Sequence, residues 1–269
     1  DEKVILEGNV TAEKKGKYAH DLIANEAIEY VTKASIQKNP FFLYLCFTIP
    51  HYELTVPEES KAQYLNLGWD KFPMKDGHYH NDPEGNTTFA GMISRMDSDI
   101  GRLLETLKKQ GMDKNTLIVF TSDNGAEYNS PFFENNKPFR GKKRDVYEGG
   151  IHVPFVVRWA GKVKAGSTTE HISAFWDFLP TACEAAGLKP SKDIDGISYL
   201  PTLLGNDKKQ KQHEYLYWEF NEGTPKQGIR QGNWKFVKLW NKPPELYDLS
   251  KDIAEKTNLT EQHPELVEK

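Results

Sequence analysis

Leu117-Ile118-Val119-Phe120-Thr121-Ser122-Asp123-Asn124-Gly125 is the stretch on which the fold turns. A short run of apolar, β-favouring residues that stops at polar side chains and a glycine predicts a strand of a parallel sheet. Such a strand is buried on both faces and delivers Asp123 and Asn124 at its carboxyl edge. Open α/β sheets bind their ligands at that edge. A carboxylate, an amide carbonyl and a glycine that lets the chain turn sharply suit a hard divalent cation. The same three residues also make an ordinary turn, so their meaning depends on what surrounds them.

Working outward, strand and helix patterns alternate. Leu22, Ile23, Ala27, Ile28, Val31 and Ile36 recur at near-helical spacing and predict a helix from Tyr18 to Gln37, stopped by Asn39-Pro40. Phe41 to Phe47 reads as an apolar strand that ends at Pro50-His51. Phe89, Ile93, Met96, Ile100, Leu103 and Leu107 predict an amphipathic helix over 87–110, closed by Gly111 and covering the sheet. Val153 to Trp159 is a further strand, and Ser173 to Ala186 a further helix closed by Gly187. This alternation predicts a doubly wound, mostly parallel α/β sheet with helices on both faces over 1–204. After the polar linker 205–211 the texture changes. Tyr215 to Phe220, Gln227 to Arg230, Trp234 to Trp240 and Glu245 to Tyr247 are β-rich, with Gln231-Gly232-Asn233 as a hairpin turn. Residues 205–269 therefore read as a small antiparallel sheet with a terminal helix near Glu261 to Lys269. Residues 1–17 read as a strand stub and loop.

Two blocks flank the opening stretch. Upstream lies Pro40-Phe41-Phe42-Leu43-Tyr44-Leu45-Cys46-Phe47-Thr48-Ile49-Pro50-His51. Downstream lies the run from Pro138-Phe139-Arg140-Gly141-Lys142-Lys143 through Glu148-Gly149-Gly150-Ile151-His152-Val153-Pro154. In this order the three blocks resemble the sulfatase family of the alkaline phosphatase superfamily. That family's pattern runs P-F-F-L-Y-L-x-F-x-x-P-H, then a strand ending D-N-G, then R-G-x-K-x-x-x-x-E-G-G-x-R-x-P. The resemblance covers nearly the whole chain, including Pro244-Glu245-Leu246-Tyr247-Asp248-Leu249, and begins in the middle of the family's pattern.

The resemblance implies hydrolysis of sulfate esters, on carbohydrates rather than simple aryl compounds. Cleaving such an ester needs a cation to draw charge off the oxygens, a nucleophile aimed at sulfur and help for the leaving alkoxide. By the family match Asp123 and Asn124 are metal ligands, with Ca2+ favoured over Mg2+ because an amide carbonyl suits the looser calcium shell. Lys143, five residues before Glu148, matches the lysine that grips the sulfate, and a compact ammonium suits that point contact. His51 matches the histidine that contacts the sulfate or the leaving oxygen. Glu148-Gly149-Gly150 is expected to shape the turn into the next strand. His152 stands where the family usually has arginine.

The family's formylglycine nucleophile comes from a C-x-P-S-R block, which this sequence lacks, as it lacks the paired acidic residues of the first strand. Neither Cys46 nor Cys183 qualifies, and both read as buried small hydrophobes. The expectation is a C-terminal portion of a sulfatase, inactive alone, that binds calcium weakly and associates with an N-terminal half of the same protein or with itself. A phosphodiesterase-like member of the superfamily and a non-catalytic sulfatase-like binding module are the alternatives.

At 269 residues, 28% charged and net charge −4, the chain can bury a sizeable core, and its charge argues against nucleic acid or a polybasic membrane surface. No apolar run suggests a membrane span. By the resemblance the compartment is periplasmic, secreted or lysosomal, where sequons at Asn9, Asn86 and Asn258 would matter. The loop between His51 and Asn86, with Trp69, Phe72, His78, Tyr79 and His80, is expected to contact substrate; His78 and His80 could pair on a metal but lack further partners.

Overall fold

The computed structural model describes residues 16–37, 39–73, 82–128 and 130–269, which form two compact units: 1–114 with 130–133, and 115–129 with 134–269. The terminal stub and both loop histidines, His78 and His80, lie outside the described residues.

The first unit is built on three helices, α1 (Ala19–Gln37), α2 (Glu58–Lys61) and α3 (Gly85–Lys109). α1 buries His20, Ala24, Ala27, Val31 and Ala34, a stripe of mostly small side chains that lets α3 approach closely. Ile36, expected on that stripe, is 76% exposed. Across the contact the Arg95 guanidinium forks onto Asp21 with two bonds of 2.6 Å, and His20 Nε2 lies 3.0 Å from Asp99. α3 ends as its sequence predicts, with Gly111 at φ +69°. Its first turns pack on α2, where a Cβ on Gly91 would stand 3.1 Å from the Ser60 carbonyl oxygen. Asn86 is 1% exposed, so its sequon cannot carry a glycan in the folded chain. Trp69 stacks on Tyr64 and meets Phe132 and Phe133.

Phe41–Phe47, expected as a strand, pairs with no other strand among the described residues, but its exposure alternates: Phe42, Tyr44 and Cys46 are exposed and their neighbours half-buried. Cys46 is thus not the buried residue its apolar surroundings suggested, because alternate side chains of an extended segment point to opposite sides.

The second unit contains β1 (Ile118–Thr121), α4 (Glu148–Ile151), β2 (Phe155–Arg158), α5 (Phe178–Ala185), α6 (Leu200–Leu203), β3 (Leu216–Phe220), β4 (Lys226–Gln231), β5 (Trp234–Leu239), β6 (Glu245–Asp248) and α7 (Pro264–Glu268). β1 pairs antiparallel with β2, Val119 opposite Val157. The doubly wound, mostly parallel sheet expected from the alternation is therefore not seen among the described residues. Nor is β1 buried on both faces, since Phe120 is 39% exposed and Val156 on β2 59%. A strand is legible in its own residues, whereas its parallel neighbours are other stretches of chain.

The small sheet has the order β3-β4-β5-β6, antiparallel throughout, and its hairpin turns at Gly232 with φ +57°. One face of it, with Val146 and Tyr147 laid against Val237, Tyr247 and Leu249, makes the core of this unit. Among the described residues no helix is long and apolar enough to cross a membrane.

Candidate active site

β1 ends where its apolar residues do, and the chain turns through Asp123, which is exposed, and Asn124, which is half-buried. Gly125 then passes directly over the loop that precedes β2. Its N–H donates to the Gly150 carbonyl at 2.9 Å, and a Cβ there would overlap the Gly149 carbonyl oxygen. Gly149 is as crowded by the carbonyls of Arg140 and Gly141, and Gly150 by those of Asp145 and Lys142. Three backbones meet here at distances only glycine permits. Lys143 joins the same junction, its N–H donating to the Ala126 carbonyl at 3.2 Å. Asn136 grips Ala126 from the other side, its Oδ1 accepting the Ala126 N–H and its Nδ2 donating to the Ala126 carbonyl, both at 3.2 Å.

The Lys143 ammonium lies 3.2 Å from Glu127 Oε2, and the Arg144 guanidinium 3.9 Å from Glu127 Oε1. Arg144 itself is held at φ +74°, a left-handed conformation that costs a non-glycine residue about 1–2 kcal/mol. Lys226 from β4 pins that turn, donating at 2.8 Å to both the Arg144 carbonyl and Asp145 Oδ1.

From here residues 144–148 run as a strap across the inner face of the small sheet. Val146 packs over Gly228, where a Cβ would come within 3.2 Å of it. Tyr147 donates to Glu245 at 2.8 Å. Arg140 covers the Tyr147 ring at 3.9 Å and donates to Tyr247, Glu245 and the Glu255 carbonyl.

The strap is anchored at Glu148, 1% exposed. Its Oε1 accepts from Lys235 at 3.0 Å and its Oε2 from Arg230 at 3.1 Å, with His152 Nδ1 also at 3.1 Å. Burial alone would raise the Glu148 carboxyl, but the His152 bond and the Lys235 and Arg230 charges bring it down to about 2. Burial lowers the pKa of Lys235, 0% exposed, against the pull of Glu148. Glu255, also fully buried, accepts the Glu148 N–H at 2.8 Å, and burial pushes its carboxyl up to about 7. Glu148 thus does more than shape a turn, and His152 keeps a bond to it where the family pattern has arginine.

Of the four residues singled out from sequence, Asp123, Asn124 and Lys143 belong to segments joined by these backbone bonds. His51 belongs to the first unit, exposed on a turn where its N–H donates to the Thr48 carbonyl at 3.1 Å. Glu127, Lys226, Arg230, Lys235 and Glu255 lie outside the motif positions that the sequence marks. The oxygens of Asp123 and Asn124 suit calcium in kind but not in number. Among the described residues no cluster of three His, Cys, Asp or Glu side chains could hold a metal, and calcium takes six to eight oxygens.

Comparison with known proteins gives this geometry a context. The sulfatase family model matches residues 3–188, and a model described as N-sulphoglucosamine sulphohydrolase, C-terminal, matches 140–268. The chain is 36% identical over 204 residues to an uncharacterized sulfatase, YdeN, of Escherichia coli, covering 75% of this chain and 33% of that protein. It is 30% identical over 288 residues to an N-acetylgalactosamine-6-O-sulfatase of Bacteroides thetaiotaomicron, covering 97% and 51% respectively. A solved structure of Ps i-CgsB in complex with k-i-k-neocarrahexaose superposes with TM-score 0.78 at 31% identity, over 96% of this chain and 54% of that one. The chain thus spans between a third and about half the length of the curated relatives it matches.

Proposed function

The chain belongs to the sulfatase family and shares its alkaline phosphatase-like α/β fold, and from that premise we propose that it is the C-terminal part of a carbohydrate sulfatase, residues 1–204 completing the catalytic α/β domain and 205–269 forming its small antiparallel subdomain. The observation that carries the reading is the glycine junction, at which the segment bearing Asp123 and Asn124 is bonded to the loop bearing Lys143.

In this reading Asp123 offers a carboxylate and Asn124 a carbonyl oxygen to a calcium ion whose other ligands come from the rest of the protein. That ion would draw charge off the sulfate oxygens, and a formylglycine outside this chain would supply the nucleophile. Lys143 holds the sulfate and its bridging oxygen, while His51 donates a hydrogen bond to the departing oxygen. β1 and Phe41–Phe47 would be strands of a doubly wound, mostly parallel sheet completed by the N-terminal half, which their exposed apolar side chains would contact. The substrate class is a sulfated carbohydrate. Its support is the name of the Bacteroides relative and the neocarrahexaose bound to the structural neighbour. A periplasmic, secreted or lysosomal site of action follows from the family.

Two measurements test this. The isolated chain, titrated with calcium in a calorimeter, is expected to bind no tighter than about 1 mM and to leave sulfate esters intact. The complete protein is expected to hydrolyse a sulfated sugar, and Lys143→Ala to lower its kcat/KM by about 10²–10³. Tight stoichiometric calcium on the isolated chain, or full activity in Lys143→Ala, contradicts the assignment.

A further inference from the structure

Lys143 is fixed through its backbone by Ala126 and, one residue on, by the Lys226 clamp on Arg144. Neither contact aims its side chain, which has four rotatable bonds. The Glu127 carboxylate faces its ammonium at 3.2 Å, with the lysine side chain 20% exposed and the glutamate 17%. Glu127 is itself held still: the backbone of Ala126 before it is gripped by Asn136, and the carbonyl of Tyr128 after it accepts from Asn135 Nδ2 at 2.5 Å.

We infer that Glu127 is the positioning residue for Lys143, holding the ammonium over the segment that follows the Asp123–Asn124 turn before substrate arrives. An ammonium carries three N–H donors, more than one carboxylate oxygen can use, so pairing with Glu127 and contacting a sulfate are compatible. Arg144, farther off at 3.9 Å and more exposed, supports the carboxylate from its other oxygen. This rests on the reading of Lys143 as the sulfate-gripping lysine, but its test does not.

The folded 269-residue chain is trace-acetylated with acetic anhydride at pH 8, and labelling of Lys143 is compared with that of its exposed neighbour Lys142 by mass spectrometry. Glu127→Gln is expected to raise the Lys143 rate about threefold and leave Lys142 unchanged, the size of a partly exposed ion pair. Glu127→Asp, which keeps the charge on a shorter stem, falls between, and also serves if the Gln variant does not fold. A Lys143 rate equal to wild type in either folded variant overturns the inference. Since labelling needs no substrate, the result stands apart from the Lys143→Ala activity test above. A changed rate with undiminished Lys143→Ala activity would uphold the role of Glu127 and reject that of Lys143.

Discussion

Glu148→Leu is expected to destabilise the chain by about 3–5 kcal/mol, because it leaves the Lys235 ammonium buried without its carboxylate. Lys235 is 0% exposed and sits 3.0 Å from Glu148 Oε1, so water cannot replace the lost partner. Arg230, which bonds the other oxygen, loses its partner as well. The double variant Glu148→Leu, Lys235→Met is expected to recover most of the loss, since a buried ion pair replaced as a unit by apolar side chains is often neutral. Urea unfolding midpoints of wild type, Glu148→Leu and the double variant measure this, with an unchanged slope showing that the folded state kept its compactness. A single variant that unfolds within about 1 kcal/mol of wild type would mean that Glu148 is no anchor.

The same cluster sets a pH dependence whose sign follows from its two carboxyls. Glu255 titrates near 7 in the folded chain against an ordinary 4.5, so the folded form binds the extra proton across that window, and stability falls as pH rises through it. The drop is about 3 kcal/mol. Glu148, brought down to about 2, contributes stability above its ordinary 4.5 that is lost as pH falls from there toward 2. Glu255→Gln, which keeps an oxygen to accept the Glu148 N–H, is expected to flatten the upper limb and leave the acid limb in place.

Gly125→Ala is expected to open the glycine junction at a large cost in stability. The added methyl would coincide with the Gly149 carbonyl oxygen, so the turn carrying Asp123 and Asn124 must move away from the loop carrying Lys143. The cost is about 3 kcal/mol, the upper end of what overpacking a rigid site imposes. Hydrogen exchange reads the displacement: the amides of Gly125 and Lys143, bonded to Gly150 and Ala126, are expected to lose protection together. Gly101→Ala is the contrast. It lies within α3 with nothing within 4 Å of the new Cβ, and is expected to stabilise by about 0.5–1 kcal/mol. Protected amides at 125 and 143 in the Gly125→Ala chain would show that the junction is not rigid.

Local patterns carried much of this into view. α1 and α3 follow from apolar spacing, the hairpin at Gly232 from its turn residues, and β1 from a run whose end coincides with its last hydrogen-bonded residue. The parallel sheet did not follow in the same way, because an apolar strand does not specify the direction of its neighbour, and β1 pairs antiparallel with β2. The burial of Lys235 is hidden in the sequence for a similar reason. In Trp234-Lys235-Phe236-Val237-Lys238-Leu239 the polar residues fall on both parities, so alternation cannot tell which lysine points inward. The buried face is decided by Glu148, a residue 87 positions away.

By itself, then, the sequence determined the family the chain belongs to and most of the elements that carry its motifs, since each of these is written within a few consecutive positions. Only the tertiary structure decided that the lysine loop is a strap held rung by rung on the small sheet, with Glu148 as its buried anchor and Glu127 facing Lys143. These are contacts between distant segments, fixed by backbone approaches that only glycine allows and by charges whose partners are chosen in folding.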